Sequence, residues 1–418
     1  MYLFLRTLVL FLFVPFGYAQ CNPKLKPYSN GFSSIEADSF SFLDEALKDI
    51  VIVGYGENSH GAGEFTHLTR ALMNYLNHAH QFNLLIIETG FGEGAYFNDY
   101  IHGKRDDLKA ILKTHNSTWR YTTPSFYRLL NWLREHNSTS NNKIYIYGCE
   151  MQYVIGDVKR LNDYLKKVNS DFVIDGFEKH LWQTISDDEK SKYYNTYISL
   201  KAHFESHYED FVSKSSKKAY ELTYHHIEVI GQFVTTIHQQ VLQRKHDFRD
   251  IYMEENIEWI LHHHGESSKA LYWAHNAHVG DWISNGVVDV TGHQLKKRFG
   301  DYYFNIATDF GTGSLKAFSK EGNLETFDFD HIETHSFTAC LKQLGRPNTF
   351  INIRNAKMNA ELKAFFENAL RLTSGSGAQI RNSKTEAKAI GEAFDAIIYL
   401  DTVNEIKWLD FSDDDDDE

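Results

Sequence analysis

Four short apolar runs in this chain end on residues that can move protons or hold charge. Residues 50–53 lead into Gly54-Tyr-Gly-Glu57-Asn-Ser-His60-Gly61, and 84–87 end on Glu88. Residues 144–147 lead into Gly148-Cys-Glu150, and 270–274 end on His275-Asn276-Ala-His278. A carboxylate beside an imidazole is a pairing that activates water or transfers protons. Glu57 and His60 taken alone would serve as caps for a following helix. With 22 histidines in the chain, an HxxH spacing alone carries little weight. Glu88 is harder to set aside, because ending a buried strand on an unpaired charge is costly. Together, Glu57, Glu88 and Glu150 with His60, His275 and His278 point to one polar crevice, provided that the four runs are neighbours in a sheet.

The elements that must position them follow from pattern. Apolar runs of strand length occur at 50–53, 84–87, 144–147, 270–274, 302–307, 349–353 and 396–400. Most are continuous rather than alternating, which suits strands covered on both faces of a mainly parallel sheet. Helical spacing fills the gaps: Phe65, Leu68, Leu72, Tyr75 and Leu76 in one, Phe126, Leu129, Leu130 and Leu133 in another. Strand–helix alternation predicts an α/β fold, a mainly parallel central sheet flanked by helices. In such sheets ligands bind beyond the carboxyl ends of the strands. From 157 to 265 the character changes to Lys, Glu, Tyr and His with little strand signal. Ser186-Asp-Asp-Glu189 is a capping box, and Ile227, Ile230, Val234 and Ile237 share a helix face. The expected division is therefore a leader (1–19), a core half (20–156), an all-helical insertion (157–265), a second core half (266–405) and an acidic disordered tail (406–418).

Composition limits the function classes. The chain has 418 residues, 43 Lys+Arg against 56 Asp+Glu and a net charge of −13, with 42% hydrophobic residues. That is a globular composition. No basic stripe is available for a nucleic-acid partner. Six of the negative charges lie in Asp413 to Glu418, a run expected to be solvated. Near the other end, Arg6, an apolar run and Gly17-Tyr-Ala19 predict a signal peptide cleaved after Ala19, hence export to the periplasm or medium. No stretch is long enough for a transmembrane helix. Cys21 fits a lipid-anchor site poorly. Three cysteines make no disulfide scaffold, and Cys149, after a buried strand, reads as structural. His262-His-His264 at a helix end reads as exposed. The aromatics Phe91, Tyr96, Phe97, Tyr100, Trp119 and Tyr121 read as core before ligand contacts.

Several chemistries are missing from the sequence: there is no GxSxG, HExxH, P-loop or strand-following GxGxxG. Instead, the chain resembles the erythromycin esterase family. The resemblance rests on Gly56-Glu-Asn-Ser-His60-Gly61, Glu64-Phe65, Glu88, Asn98 with Ile101-His-Gly103, and Trp132-Leu-Arg134. It continues through Gly148, Gln152, Arg249-Asp250, Met253, Trp273-Ala-His-Asn-Ala-His278, Gly292, Leu295, Gly300 and Tyr303. It spans residues 42–402.

The resemblance implies hydrolysis of a carboxylic ester, macrolide lactones included, by water that His60 activates as general base. Glu57, Glu88, His275 and His278 would complete the catalytic set, with an imidazole stabilising the oxyanion or protonating the leaving alkoxide. Glu64, Arg70, Glu150, Arg249 and Asn276 would contact the substrate. One departure stands out: the family's basic residue five positions after Glu64 is Thr69 here, with Arg70 next, turned by about 100° on a helix. Glu150 also replaces a more usual Asp. The partner implied is a small-molecule ester, and no cofactor is expected. Two other readings stay open on the residues alone. One is a metal-dependent hydrolase using His60, His275 and His278. The other is a non-catalytic envelope or polysaccharide-binding protein.

Overall fold

The computed structural model describes residues 21–114, 119–239, 242–284, 288–373, 378–379 and 385–411. All seven expected strands lie in one nine-stranded sheet. In chain order its strands are β1 Ser29–Phe32, β2 Ile52–Glu57, β3 Leu84–Gly90, β4 Tyr145–Glu150, β5 Ala270–His275, β6 Tyr303–Phe318, β7 Leu324–Phe329, β8 Asn348–Asn352 and β9 Ala396–Val403. The spatial order is β1-β8-β9-β6-β2-β5-β3-β4, with β7 paired to β6. Every neighbour from β9 to β4 is parallel. Strand β8 runs antiparallel to both β1 and β9, and β7 antiparallel to β6. The α/β class and mainly parallel sheet are as expected. Strand β1 carries no strand signal because it has four residues with one large apolar side chain, and β7 carries little because of its residues only Phe329 is buried.

The continuous apolar runs have a simple cause. Ile52, Leu84, Ile86 and Tyr272 pack into one core layer, while Val53, Leu85, Ile87, Leu271 and Trp273 pack into the other. Successive side chains of a strand point to opposite faces, so only a sheet covered on both sides needs apolar residues at every position. Helices α1 Gly63–His80, α2 Phe91–Ile101 and α3 Pro124–Thr139 provide part of that cover. The sequence Phe-Gly-Glu-Gly hides the start of α2, since glycine disfavours a helix interior. Packing overrides propensity there: a Cβ on Gly92 would lie 2.0 Å from the Asp157 amide nitrogen.

Between β4 and β5 the described residues hold helices and no strand. They are α4 Ile155–Lys167, α5 Asp187–Ser206, a short helix Tyr208–Lys214, α6 Lys217–Ile237 and α7 Leu242–His264. The predicted capping box opens α5, with Ser186 accepting from the Glu189 amide and Glu189 accepting from the Ser186 amide. The insertion is keyed to the core by Asn256 Nδ2 donating to Cys149 O at 2.9 Å, and within it His226 Nδ1 on Asp157 at 2.7 Å ties α6 to α4. After β5 come α8 Asn276–Val279 and α9 Thr291–Phe299.

The expected leader (1–19), the Gly/Ser patch at 374–377 and the acidic run 413–418 lie outside the described residues. Ile406 is buried, and the amides of Ile406 and Leu409 donate to Gly61 O and Thr122 O at 2.9 and 3.0 Å. Cys149 is buried, and burial pushes its thiol pKa well up. Cys21 and Cys340 form a disulfide. Of the three adjacent histidines only His262 is exposed; His263 stacks on Trp259 and His264 bonds the Tyr147 hydroxyl at 2.8 Å. No helix among the described residues is long and apolar enough to cross a membrane.

Candidate active site

The strand order sets the chemistry. Strand β5 lies between β2 and β3, with Glu57 level with His275. Strand β4 continues the row beyond β3, where a register shift after Ile87 sets Gly90 level with Glu150. The chain runs outward from β2 through β3 to β4 and then returns to fill the β5 gap before passing to β6 on the far side. This reversal is a switch point, where a crevice opens at the carboxyl ends of parallel strands. Glu57, His275, Glu88 and Glu150 end up side by side along its floor.

The turn after β2 is built to hold His60. The Asn58 amide donates to Thr308 Oγ1 at 2.7 Å, and Asn58 Nδ2 donates to Thr373 O at 3.0 Å. Gly61 lies so close to β6 that a Cβ would stand 1.8 Å from Lys316 O, so any side chain there would displace the turn. Within this frame His60 Nδ1 lies 2.5 Å from Glu57 Oε1. The other Glu57 oxygen accepts from Trp273 Nε1 at 2.9 Å. With Nδ1 carrying the hydrogen toward Glu57, the imidazole lone pair is on Nε2.

Glu88 is the electrostatic centre. Its Oε2 accepts from the His275 amide at 2.9 Å and from Arg120 Nη1 at 3.3 Å. Its Oε1 accepts from Arg249 Nη2 at 2.7 Å and lies 3.7 Å from His278 Nε2. Burial by itself would raise the Glu88 pKa, but Arg120, His278, His60 and Arg249 outweigh it and hold the carboxyl well below the usual range. A buried charge is tolerable only when so paired.

The remaining residues fall into two groups. Arg249, on α7, donates from Nε to Glu150 Oε2 at 3.1 Å and from Nη2 to Glu150 Oε1. One residue on, Asp250 bonds His278 Nδ1 at 2.7 Å and accepts from the Thr291 amide and hydroxyl. His278 Nε2 meets Arg249 Nη1 at 2.8 Å. Burial opposes the His278 charge, yet Asp250 and Glu88 raise its pKa above the ordinary value. His275 is held on both ring nitrogens: Nε2 lies 3.1 Å from Asn58 O, and Nδ1 accepts from the Ala277 amide at 3.1 Å, capping α8. Its ring stands edge-on to His60 at 5.6 Å.

Three expected substrate contacts stand elsewhere or face inward. Asn276 braces β6, with Nδ2 on Thr308 O and Oδ1 on the Thr308 amide. Glu64 holds Asn404 through both carboxylate oxygens. Arg70 is 3.8 Å from Glu36 and lines a surface cavity of about 470 Å³ with His67 and Arg128. Thr69 is buried and bonds Phe65 O. The predicted core aromatics Phe91, Tyr96, Phe97, Tyr100 and Tyr121 are buried.

Two residues of this centre escaped sequence reasoning as site members. Asp250 has no local pattern of its own beyond its place beside Arg249. Arg120, in the 3-10 turn Trp119–Tyr121, carried no signal except the aromatics flanking it. Its guanidinium lies over the Tyr121 ring at 4.7 Å. Nη1 is 3.0 Å from Glu57 Oε1, and 2.5 and 3.0 Å from the two ring nitrogens of His60. Nη2 donates to Glu88 O at 2.5 Å. Burial disfavours its charge, and the carboxylates, Glu88 foremost, raise its pKa above that of a free guanidinium.

The erythromycin esterase family model matches residues 78–403. The chain is 22% identical over 401 residues to erythromycin esterase type II of Escherichia coli, covering 82% of this chain and 94% of that protein. A Bacillus cereus protein of known structure superposes with a TM-score of 0.77 at 21% identity, covering 92% of this chain and 98% of that one. A mutant erythromycin esterase, EreC, in its open conformation superposes with a TM-score of 0.68 at 16% identity, covering 92% and 100%.

Proposed function

This chain belongs to the erythromycin esterase family, and from that premise we propose that it is an exported hydrolase that opens a carboxylic ester or lactone with water activated by His60. Family membership supports a hydrolase acting on a small-molecule ester. The observation that carries the finer reading is the Glu57–His60 pair at the switch point, 2.5 Å apart. Glu57 fixes the tautomer, and Nε2 takes a proton from water as the oxygen attacks the acyl carbon. The same proton then passes to the departing alkoxide. No serine nucleophile is required. Glu88, Glu150, Arg249, Asp250 and His278 form the ionic frame that keeps the pair in place, and His275 locks the turn that carries His60.

The reading is metal-independent. In support, His275 is bound on both ring nitrogens and His278 lies between Asp250 and Arg249. Two guanidiniums already stand among the carboxylates, where a divalent cation would have to go. Turnover should therefore survive exhaustive chelation, and its loss with recovery on adding zinc would overturn this point. Export finds support in the Cys21–Cys340 disulfide, since such bonds persist in oxidising compartments. A cysteine bonded in that way also has no sulfur left for a lipid.

The deciding experiment is mass spectrometry of erythromycin and a panel of simpler esters incubated with the protein, read for the gain of one water. His60→Ala should abolish that gain while the circular dichroism spectrum is unchanged. Wild-type turnover by that variant would remove His60 as the base.

A further inference from the structure

Hydrolysis by an activated water builds negative charge on the carbonyl oxygen, and a donor must stand where it develops. The two imidazoles expected to serve there are engaged by the protein. His275 holds Asn58 O and the Ala277 amide, and His278 holds Asp250 and Arg249. The two arginines differ in a telling way. Arg249 has every guanidinium nitrogen committed: Nε to Glu150, Nη1 to His278, and Nη2 to Glu88 and Glu150. Arg120 does not. It is 6% exposed, its Nη1 touches both His60 and Glu57, and its Nε is buried without a hydrogen-bond partner. A buried charged group with an unpaired donor calls for an explanation, and a catalytic role is one of the few available.

We propose that Arg120 is a further catalytic residue, whose guanidinium binds the ester carbonyl oxygen and then the tetrahedral oxyanion beside His60. This rests on the reading of the crevice as an ester hydrolase with His60 as base. The water O–H bond breaks, with the proton going to His60 Nε2 while Nδ1–H stays on Glu57. The water oxygen forms the new C–O bond, and the carbonyl π pair moves onto the oxygen held by Arg120. That pair then returns to re-form C=O, the C–O bond to the alcohol breaks, and the alkoxide takes the proton from Nε2. Acid and alcohol leave, and nothing is oxidised or reduced. Glu57 and Glu88 keep the guanidinium aimed, in the way that preorganised donors must be.

The test uses the full chain with Arg120→Ala and Arg120→Lys, p-nitrophenyl acetate as substrate and methylphosphonate as a stable tetrahedral anion. Arg120→Ala should lose about 10²–10³-fold in kcat with KM little changed. Guanidinium chloride far below denaturing concentrations should restore part of the rate, which a merely structural defect would not allow. Arg120→Lys should retain more activity than the alanine variant. By calorimetry, methylphosphonate should bind the wild type and bind Arg120→Ala at least about tenfold more weakly. A wild type that is inert toward esters but binds methylphosphonate through Arg120 would sink the hydrolase reading and leave the anion site standing. Unchanged kcat, a loss without guanidinium rescue, or phosphonate affinity indifferent to Arg120 overturns the proposal.

Discussion

At the scale of single residues, the centre is a balance of buried charges in which each group depends on its neighbours. Glu57 accepts from His60, Arg120 and Trp273, so Glu57→Gln replaces an acceptor with a group that must also donate. That variant should lose about 10²-fold or more in kcat, read by steady-state kinetics, because the imidazole loses its tautomer restraint. Three shifted groups of this centre contribute to the pH dependence of stability. Glu88 and Asp250 have folded pKa values below their unfolded ones. Their contribution is present above about pH 4 and is lost as pH falls through the depressed folded values. His278 has a raised folded pKa. Its contribution is complete below about pH 6.5 and is lost as pH rises through the raised value. His278→Gln should therefore flatten the part of the fall in Tm above about pH 6.5 that this group causes, read as the difference between wild-type and variant melts across pH.

At the scale of elements, the helical insertion is part of the site rather than an ornament on the core. Helix α7 carries Arg249 and Asp250, and His246 one turn earlier shares their face at i−3 and i−4. Trp182 stacks on His246 with centroids 4.7 Å apart, and its Nε1 donates to Gln152 Oε1 at 2.6 Å, two residues beyond Glu150. The indole is thus held between neighbours of Arg249 and Glu150 with 37% of its surface exposed, where a bulky substrate in the crevice could reach it. Covering a face of that ring with a bulky ester would contribute about 1.5 kcal/mol. Trp182→Ala should raise KM for such an ester about tenfold and leave that of p-nitrophenyl acetate unchanged. Equal effects on both substrates would argue against a rim contact. Farther from the crevice, Ser186→Ala removes the cap of α5 and should cost about 1 kcal/mol in urea unfolding with turnover intact.

At the scale of the whole molecule, the Cys21–Cys340 bond ties the start of the described chain to the helix Phe337–Gln343 across 319 residues. Closing so long a loop restricts the unfolded ensemble, by about 6 kcal/mol in the chain-entropy account. Cys340→Ser should lower Tm, and dithiothreitol should lower the wild-type Tm toward that of the variant while leaving the variant unmoved. The helix that carries Cys340 packs against β6 and β9, and the bond fastens the chain start to it. Neither cysteine is among the residues of the crevice, so loss of the bond should lower Tm and leave KM unchanged.

What the sequence by itself determined is the set of strand ends. Continuous apolar runs ending on Glu57, Glu88, Glu150 and His275 predict a two-face-covered parallel sheet with polar residues at one edge, because burial and strand period act locally. The capping box at Ser186 was readable for the same reason. What only the tertiary structure decided is which charges meet there. Arg120 comes from a single turn of 3-10 helix and Asp250 from a helix inside the insertion, so neither has a local pattern to announce it. Arg70, one residue from the expected basic position, turns to the surface because a step of about 100° on α1 changes faces. The glycine-rich start of α2 is helical only because β4 and α4 press against it. Pairing of buried charge is a long-range requirement, satisfied by whichever cation the fold can deliver, and for that reason it cannot be read along the chain.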